Sequence, residues 1–449
     1  MRDRILVRLG LAALLPLSLA VLGLTGCAKP ATQTQTPPPP ANEATGTTTS
    51  ATTATTPAAP YSRYDLVFAV AGDSRSAQAW MDTTAKKKPD YGKYINKTGL
   101  AKLRDNLSAG WGGSPGFLLV HLGDFGIRGG TPIFDEFKTM MSPMRAKGIP
   151  VYPVKGNHEV RYYVPDTTKK AETYENALKA QDQYRSAFAT WLPAGAVSMD
   201  KNYSGLAYRF KSPDGGTAFI VMDAYYVSTQ DKKYHKGYYS DPELRWLQDS
   251  LITYKQDAKV KQVFVMSHQP AFDAVAADGS LFDDYNSDRS ARSDQIMWVL
   301  MNNYGATAYF CGHSHFYHRW NVAGSRFGRE WSDPDWFDIT ELGQYRGAWE
   351  TTIPQVLNGA AGAPLQSLTK KMVKDPSQRI AAAASAEVQN FSIVYVKGDT
   401  VTVEVYSYGD RSEPADEPAT GTWWEPKLID KFQGQNHVWK TLELVPEQP

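Results

Sequence analysis

The 449-residue chain has little with which to cross-link itself: Cys27 and Cys311 are its only cysteines, so a disulfide framework is excluded and stability has to come from a buried core. It also lacks a charge bias. Lys and Arg number 48 against 47 Asp and Glu, a formal net charge of +1, which gives no bulk electrostatic attraction for a nucleic-acid polymer. The apolar run from Leu9 to Leu24 falls short of the ~20 residues that a membrane span needs. No internal repeat with a fixed period of roughly 20 to 50 residues is present, which argues against a solenoid or a propeller.

What the N-terminus does contain is an export pattern. Arg2, Arg4 and Arg8 precede the apolar run, as expected of a signal peptide over residues 1–26. Leu24-Thr25-Gly26-Cys27 then resembles the lipobox of bacterial lipoproteins, which implies cleavage before Cys27 and its lipidation, hence an extracytoplasmic, membrane-anchored protein of the cell envelope. Ala28 after the cysteine implies the outer membrane if the host is Gram-negative. With Cys27 lipidated, no intramolecular disulfide remains possible. Residues 28–60 hold seven prolines and eleven threonines and almost no large apolar side chain, so residues 27–60 read as a lipidated cysteine on a disordered tether spanning roughly 30 Å.

From residue 61 the chain changes character. Leu66 to Ala71 is a continuous apolar run, expected of a strand buried on both faces, and it ends in Gly72-Asp73-Ser74-Arg75. Phe117 to Leu122 ends in Gly123-Asp124, and Ile149 to Val154 in Lys155-Gly156-Asn157-His158-Glu159. Helical spacing separates these runs at Leu100 to Leu107 and Phe134 to Lys147, and continues at Glu172 to Trp191, Leu244 to Leu251 and Ile296 to Met301. Two further runs, Gln262 to Met266 and Ala306 to Phe310, lead into Ser267-His268 and Cys311-Gly312-His313-Ser314-His315. Strands alternating with helices predict α/β layers, in which ligand sites gather outside the carboxyl ends of the strands. Gly156, lacking Cβ, is expected to let the backbone turn sharply and aim Asn157 and His158 into a shared space.

Asp73, Asp124, Asn157, His268, His313 and His315 offer oxygen and nitrogen donors only, a set suited to Mn, Fe or Zn. A pair of such ions polarises a phosphoryl oxygen and acidifies water, which is what phosphate-ester hydrolysis requires. The ordered series resembles the calcineurin-like metallophosphoesterases over roughly residues 65–365 plus the hairpin expected at 392–406. That resemblance implies an α/β fold of four layers, an αββα sandwich of two mixed β-sheets between outer helices. It also implies that Asp124 bridges two metals, that Asn157, His268 and His313 complete one site, that Asp73 and His315 serve the other, and that His158 protonates the leaving oxygen. The substrate would be a phosphorylated small molecule or lipid, with mono- and diesters both open; the alternative is a binding module that keeps the fold and turns nothing over.

One departure stands out. Many members carry a histidine two residues after the first aspartate, and this chain has Arg75; purple acid phosphatases have a tyrosine three residues after the bridging aspartate, and this chain has Ile127. Arg75 either pairs with a carboxylate in place of the missing ligand or reaches over the metals to grip substrate phosphate, the arrangement favoured here. Cys311, His121, His318 and Asp223 adjoin the motifs but read as packing or capping residues. The aromatic stretch with Trp331, Trp336, Phe337, Tyr345 and Trp349 is a candidate wall beside the site. The catalytic domain is expected to span residues 61–410, and residues 411–449 form a tail to which the sequence assigns no fold.

Overall fold

The computed structural model describes residues 61–75, 97–161, 173–272, 287–323, 352–366, 380–408, 426–436 and 438–444; Cys27, the tether and the tryptophan-rich stretch lie outside them. In chain order the strands are β1 (Leu66–Ala71), β2 (Leu118–His121), β3 (Val151–Pro153), β4 (Val197–Ser198), β5 (Tyr208–Lys211), β6 (Thr217–Val221), β7 (Val227–Ser228), β8 (Lys233–Tyr234), β9 (Gln262–Met266), β10 (Ala308–Cys311), β11 (Tyr317–Ala323), β12 (Thr352–Asn358), β13 (Ile380–Ala386), β14 (Asn390–Lys397), β15 (Thr400–Ser407), β16 (Lys427–Gln435) and β17 (Val438–Thr441). The helices are α1 (Lys97–Trp111), α2 (Thr131–Ala146), α3 (Tyr174–Phe188), α4 (Asp241–Gln256) and α5 (Ser287–Tyr304). None of the described helices is long and apolar enough to cross a membrane.

Two large mixed sheets result, in the orders β17-β16-β15-β14-β1-β2-β3 and β13-β11-β12-β10-β9-β6-β5-β4. The two-fold alternation of each strand fills three cores. In β1, Leu66, Phe68 and Val70 face the other sheet and meet Phe219, Phe264 and Phe310, while Val67, Ala69 and Ala71 face Leu103 and Leu107 of α1. In β6, Phe219 and Val221 join the core between the sheets and Ala218 and Ile220 pack under Leu247 of α4 and Trp298 of α5. Helices therefore cover the outer faces and the four-layer α/β sandwich is formed. Local signals start the helices: Ser240 Oγ accepts from Glu243 N at the head of α4, with Pro242 in its first turn, and Thr173 caps α3 through Asn176 N.

The first sheet continues past the 392–406 hairpin. Residues 427–435 pair with β15 and residues 438–441 with β16, so the segment without an assigned fold supplies the sheet's edge. A charge holds it to the other sheet. Arg319 of β11 donates to both carboxylate oxygens of Asp430, at 2.8 and 3.3 Å, and to Thr441 Oγ1, while Tyr317 also donates to Asp430 and the guanidinium lies 4.2 Å from the Phe432 ring centroid.

Candidate metal centre

The parallel strands deliver the site. β1, β2 and β3 run side by side, as do β9 and β10, so Asp73, Asp124 and Asn157 leave one sheet where His268 and His313 leave the other. Four of the residues just past these ends are non-glycines in left-handed backbone: Asp73 (φ 54°), Arg75 (φ 42°), Asp124 (φ 55°) and His313 (φ 74°). Such geometry costs on the order of 1–3 kcal/mol per residue, and its concentration here marks a place where side-chain direction outweighs local stability. Gly156 does not take a left-handed turn. Its missing Cβ makes room for Asp124, whose Oδ1 and amide nitrogen would otherwise collide with it; Gly312 likewise clears space for Asp73 Oδ2.

Two of the imidazoles are fixed by their second nitrogen. His268 Nδ1 lies 2.7 Å from the Leu122 carbonyl and His315 Nδ1 2.8 Å from that of Pro364; a carbonyl only accepts, so both Nδ1 atoms carry hydrogen and both Nε2 atoms present lone pairs. His268 Nε2 is 3.1 Å from Asn157 Oδ1, 3.5 Å from Asp124 Oδ1 and 3.3 Å from His313 Nδ1. His315 Nε2 faces Asp73 Oδ1 at 3.7 Å, and neither atom has a hydrogen-bond partner although both are buried. Two facing, partnerless acceptors too far apart to share a hydrogen bond fit a cation. Asp73, Asp124 and His315 place one ligand atom each within 4.8 Å of one another, making an Asp-Asp-His cluster.

The electrostatics agree. Burial and the Asp124 charge push the Asp73 carboxyl well above its usual range, while Asp124, against the effect of its own burial, is held well below by His158, His268 and Arg75. Burial lowers His268 to about 4 and holds His315 well below the ordinary histidine range, keeping both neutral as ligation requires.

Glu159 braces the floor of the site. Its Oε2 accepts from the amides of Asp124 (2.8 Å) and Gly156 (2.7 Å) and its Oε1 from that of Phe125 (2.8 Å), tying together the loops after β2 and β3. Burial and Asp124 push its carboxyl up to about 8, against the pull of those three amides. Asp124 Oδ1 in turn accepts from His158 N at 3.0 Å.

His158 and Arg75 depart from the simplest expectation. His158 Nδ1 lies 2.7 Å from the carbonyl of Ile127, whose backbone orients the ring. Its Nε2 accepts from Arg75 Nη2 and Arg161 Nη1, each at 2.8 Å, and burial together with these guanidiniums holds the ring well below the ordinary histidine range. Serving as an acid requires this atom to exchange those donors for a proton. Arg75, only 16% exposed, also donates to Asp124 Oδ2 at 3.2 Å, so the structure holds the carboxylate-paired arrangement and not the outward reach favoured from sequence.

The neighbours of the motifs are structural. Asp223 pairs with Lys155 at 2.8 Å in a fully buried network with Gln181 and Glu243. His121 packs against the stacked rings of Phe125 and Phe137, His318 stacks on Trp320, and Cys311 is fully buried beside Val356. Glu159 closes the strand-end motif without its bracing role being legible there, and Arg161 carries no strand-end signal of its own; the available clue is its place within four residues of Asn157.

Residues 70–317 match the family described as calcineurin-like phosphoesterase. No curated protein is significantly similar in sequence. In fold the chain is similar to a purple acid phosphatase from yellow lupin (Lupinus luteus) seeds, with a TM-score of 0.51 and 14% identity over 83% of this chain and 55% of that one. PhoD aligns with a TM-score of 0.48 and 12% identity over 87% of this chain and 74% of that one. A putative 5'-nucleotidase from Staphylococcus aureus gives 0.34 and 12%, over 85% and 56%. The chain thus spans little more than half the length of the lupin protein, and at this identity the likeness speaks for the fold alone.

Proposed function

The chain belongs to the calcineurin-like phosphoesterase family and is a phosphoric ester hydrolase, and from that premise we propose that it cleaves phosphate esters at a two-metal centre outside the cytoplasm. The observation that carries the reading is the pair of facing, partnerless acceptors, Asp73 Oδ1 and His315 Nε2, beside the buried Asp124. The family implies divalent metal ions. Asp73, Asp124 and His315 would hold one, and Asp124, Asn157, His268 and His313 the other, with Mn, Fe or Zn suited to these donors. Bound there, such ions supply Lewis acidity toward a phosphoryl oxygen.

The chain's own residues do the rest. Leu122 and Pro364 carbonyls lock His268 and His315 in the ligating tautomer, and Glu159 holds Asp124 and Asn157 in register. His158, its ring fixed by Ile127, delivers a proton from Nε2 to the departing oxygen. The basic and apolar N-terminus followed by Leu24-Thr25-Gly26-Cys27 supports export and a lipid anchor on Cys27, which would place the enzyme at phosphorylated small molecules or lipids of the envelope.

Metal analysis of the purified protein, together with turnover of nucleotide, sugar and lipid phosphates in added Mn, Fe or Zn, tests this. Activity should require metal, and Asp124→Ala should lose metal and turnover together. A fully metal-loaded protein that cleaves none of the panel would instead favour the binding-module reading.

A further inference from the structure

A buried ion pair bridges the two sheets beside the site. Lys155 leaves β3, at the edge of the first sheet, and Asp223 follows β6 of the second, whose parallel neighbour β9 leads into His268. Lys155 Nζ lies 2.8 Å from Asp223 Oδ2 and donates to Gln181 Oε1 of α3 at 2.7 Å, and both charged side chains are fully buried. Such a pair adds little to stability over apolar residues of equal volume, because the cost of desolvating two charges offsets their attraction. Its better attested use is to fix one arrangement among alternatives.

Each end of the pair carries residues of the metal centre. Lys155 precedes Gly156 and Asn157, and the chain there has no slack: Gly156 N donates to Glu159 Oε2 at 2.7 Å, and Asp124 fills the place of a Gly156 Cβ. At the other end Asp223 Oδ1 accepts from Tyr225 N at 3.0 Å, and the Tyr225 ring packs against His268 and His313, with centroids 5.7 and 6.2 Å away. Both anchors are braced from behind. Asp223 N donates to Glu243 Oε1 of α4 at 2.7 Å, and Gln181 exchanges hydrogen bonds with the amide and the carbonyl of Val227. The Asp73 and His315 side has cross-sheet ties of its own, since Asp73 Oδ2 accepts from His313 N and Asp73 O from Ala363 N, each at 2.8 Å.

We propose that Lys155 and Asp223 are positioning residues: their ion pair sets the span between Asn157 and His268, and with it the affinity of the Asn157–His268–His313 side of the centre for its metal. This rests on the two-metal reading above. Asn157 Oδ1 and His268 Nε2 come from different sheets and stand 3.1 Å apart, yet both are acceptors, so their own contact does not hold them together. The pair supplies the missing tie from just outside the ligands.

Calorimetric titration of the metal-free full chain with Zn tests this. Asn157→Ala and His315→Ala serve as references, each weakening one of two classes of bound ion. Lys155→Met combined with Asp223→Asn removes both charges together and keeps an acceptor for Tyr225 N. This double variant should unfold in urea close to the wild type, while the class weakened by Asn157→Ala loses affinity about ten- to hundredfold and the His315 class is unchanged. Lys155→Arg, which keeps the charge but alters the reach, should weaken the same class and serves if the double variant does not fold. Unchanged Zn affinity, or an equal loss in both classes, overturns the proposal and leaves the pair a packing feature. If the wild type takes up a single Zn the two-metal reading fails, and the tie stands only if the double variant weakens that ion; no uptake at all fails both.

Discussion

Arg75 Nη2 sits 3.2 Å from Asp124 Oδ2, placing a permanent cation on the carboxylate that both candidate metal sites share. A guanidinium and a metal compete for that oxygen. Arg75→Ala should therefore keep its metal and bind the weaker ion at least as tightly as the wild type, as read by titrating metal-free protein with Zn. Metal lost on removing Arg75 would show that the arginine supports the site and does not compete with it.

His158→Ala separates binding from proton transfer. Metal content should stay at the wild-type level while turnover of an ester with a poor leaving group falls by about 10²–10⁴-fold. Nitrophenyl esters, which need little protonation, should lose much less. A uniform loss across leaving groups removes the acid role and leaves His158 as the group that orients Arg75 and Arg161.

The Arg319–Asp430 contact makes a prediction about stability. Both side chains are almost fully buried, so Asp430→Ala strands a charge and should cost about 3–5 kcal/mol in urea denaturation. The double change Arg319→Met with Asp430→Leu should recover most of that loss. A single variant as stable as the wild type would mean that β16 is held by its ladder to β15 alone.

A pH dependence follows from Glu243. Burial first, then the neighbouring Asp223 charge, raise its carboxyl well above the ordinary glutamate range, with Lys155 opposing and Tyr203 nearby. The folded state thus binds this proton more tightly than the unfolded chain, so the stabilisation is complete below the unfolded pKa and is lost as pH rises through the folded one. Glu243→Gln keeps the acceptor for Asp223 N and should flatten that decline in denaturation curves taken across the range. An identical slope in the variant assigns the dependence to other groups.

Anchoring is tested by fractionation. Cys27→Ser should move the folded protein to the soluble fraction, because the lipid is the only attachment inferred; retention in the membrane would point to a separate binding surface.

The sequence by itself determined the order of the candidate ligands and the layered fold. Asp73, Asp124, Asn157, His268 and His313 were legible because each closes an apolar run, and a strand buried on both faces writes its end as an abrupt change from apolar to polar residues. The sequence was silent on β11, β13, β16 and β17: Tyr317–Ala323 and Lys427–Gln435 carry Arg319 and Asp430, charged residues whose mutual burial no local pattern announces. Only the tertiary structure could decide that pairing, since a long-range ion pair leaves no local periodicity. The same holds at the site. Residue types predict that a histidine or an arginine is present, but the Ile127 carbonyl that sets the tautomer of His158, and the meeting of Arg75 with Arg161 on its remaining lone pair, come from residues 31, 83 and 3 positions away whose approach the fold decides.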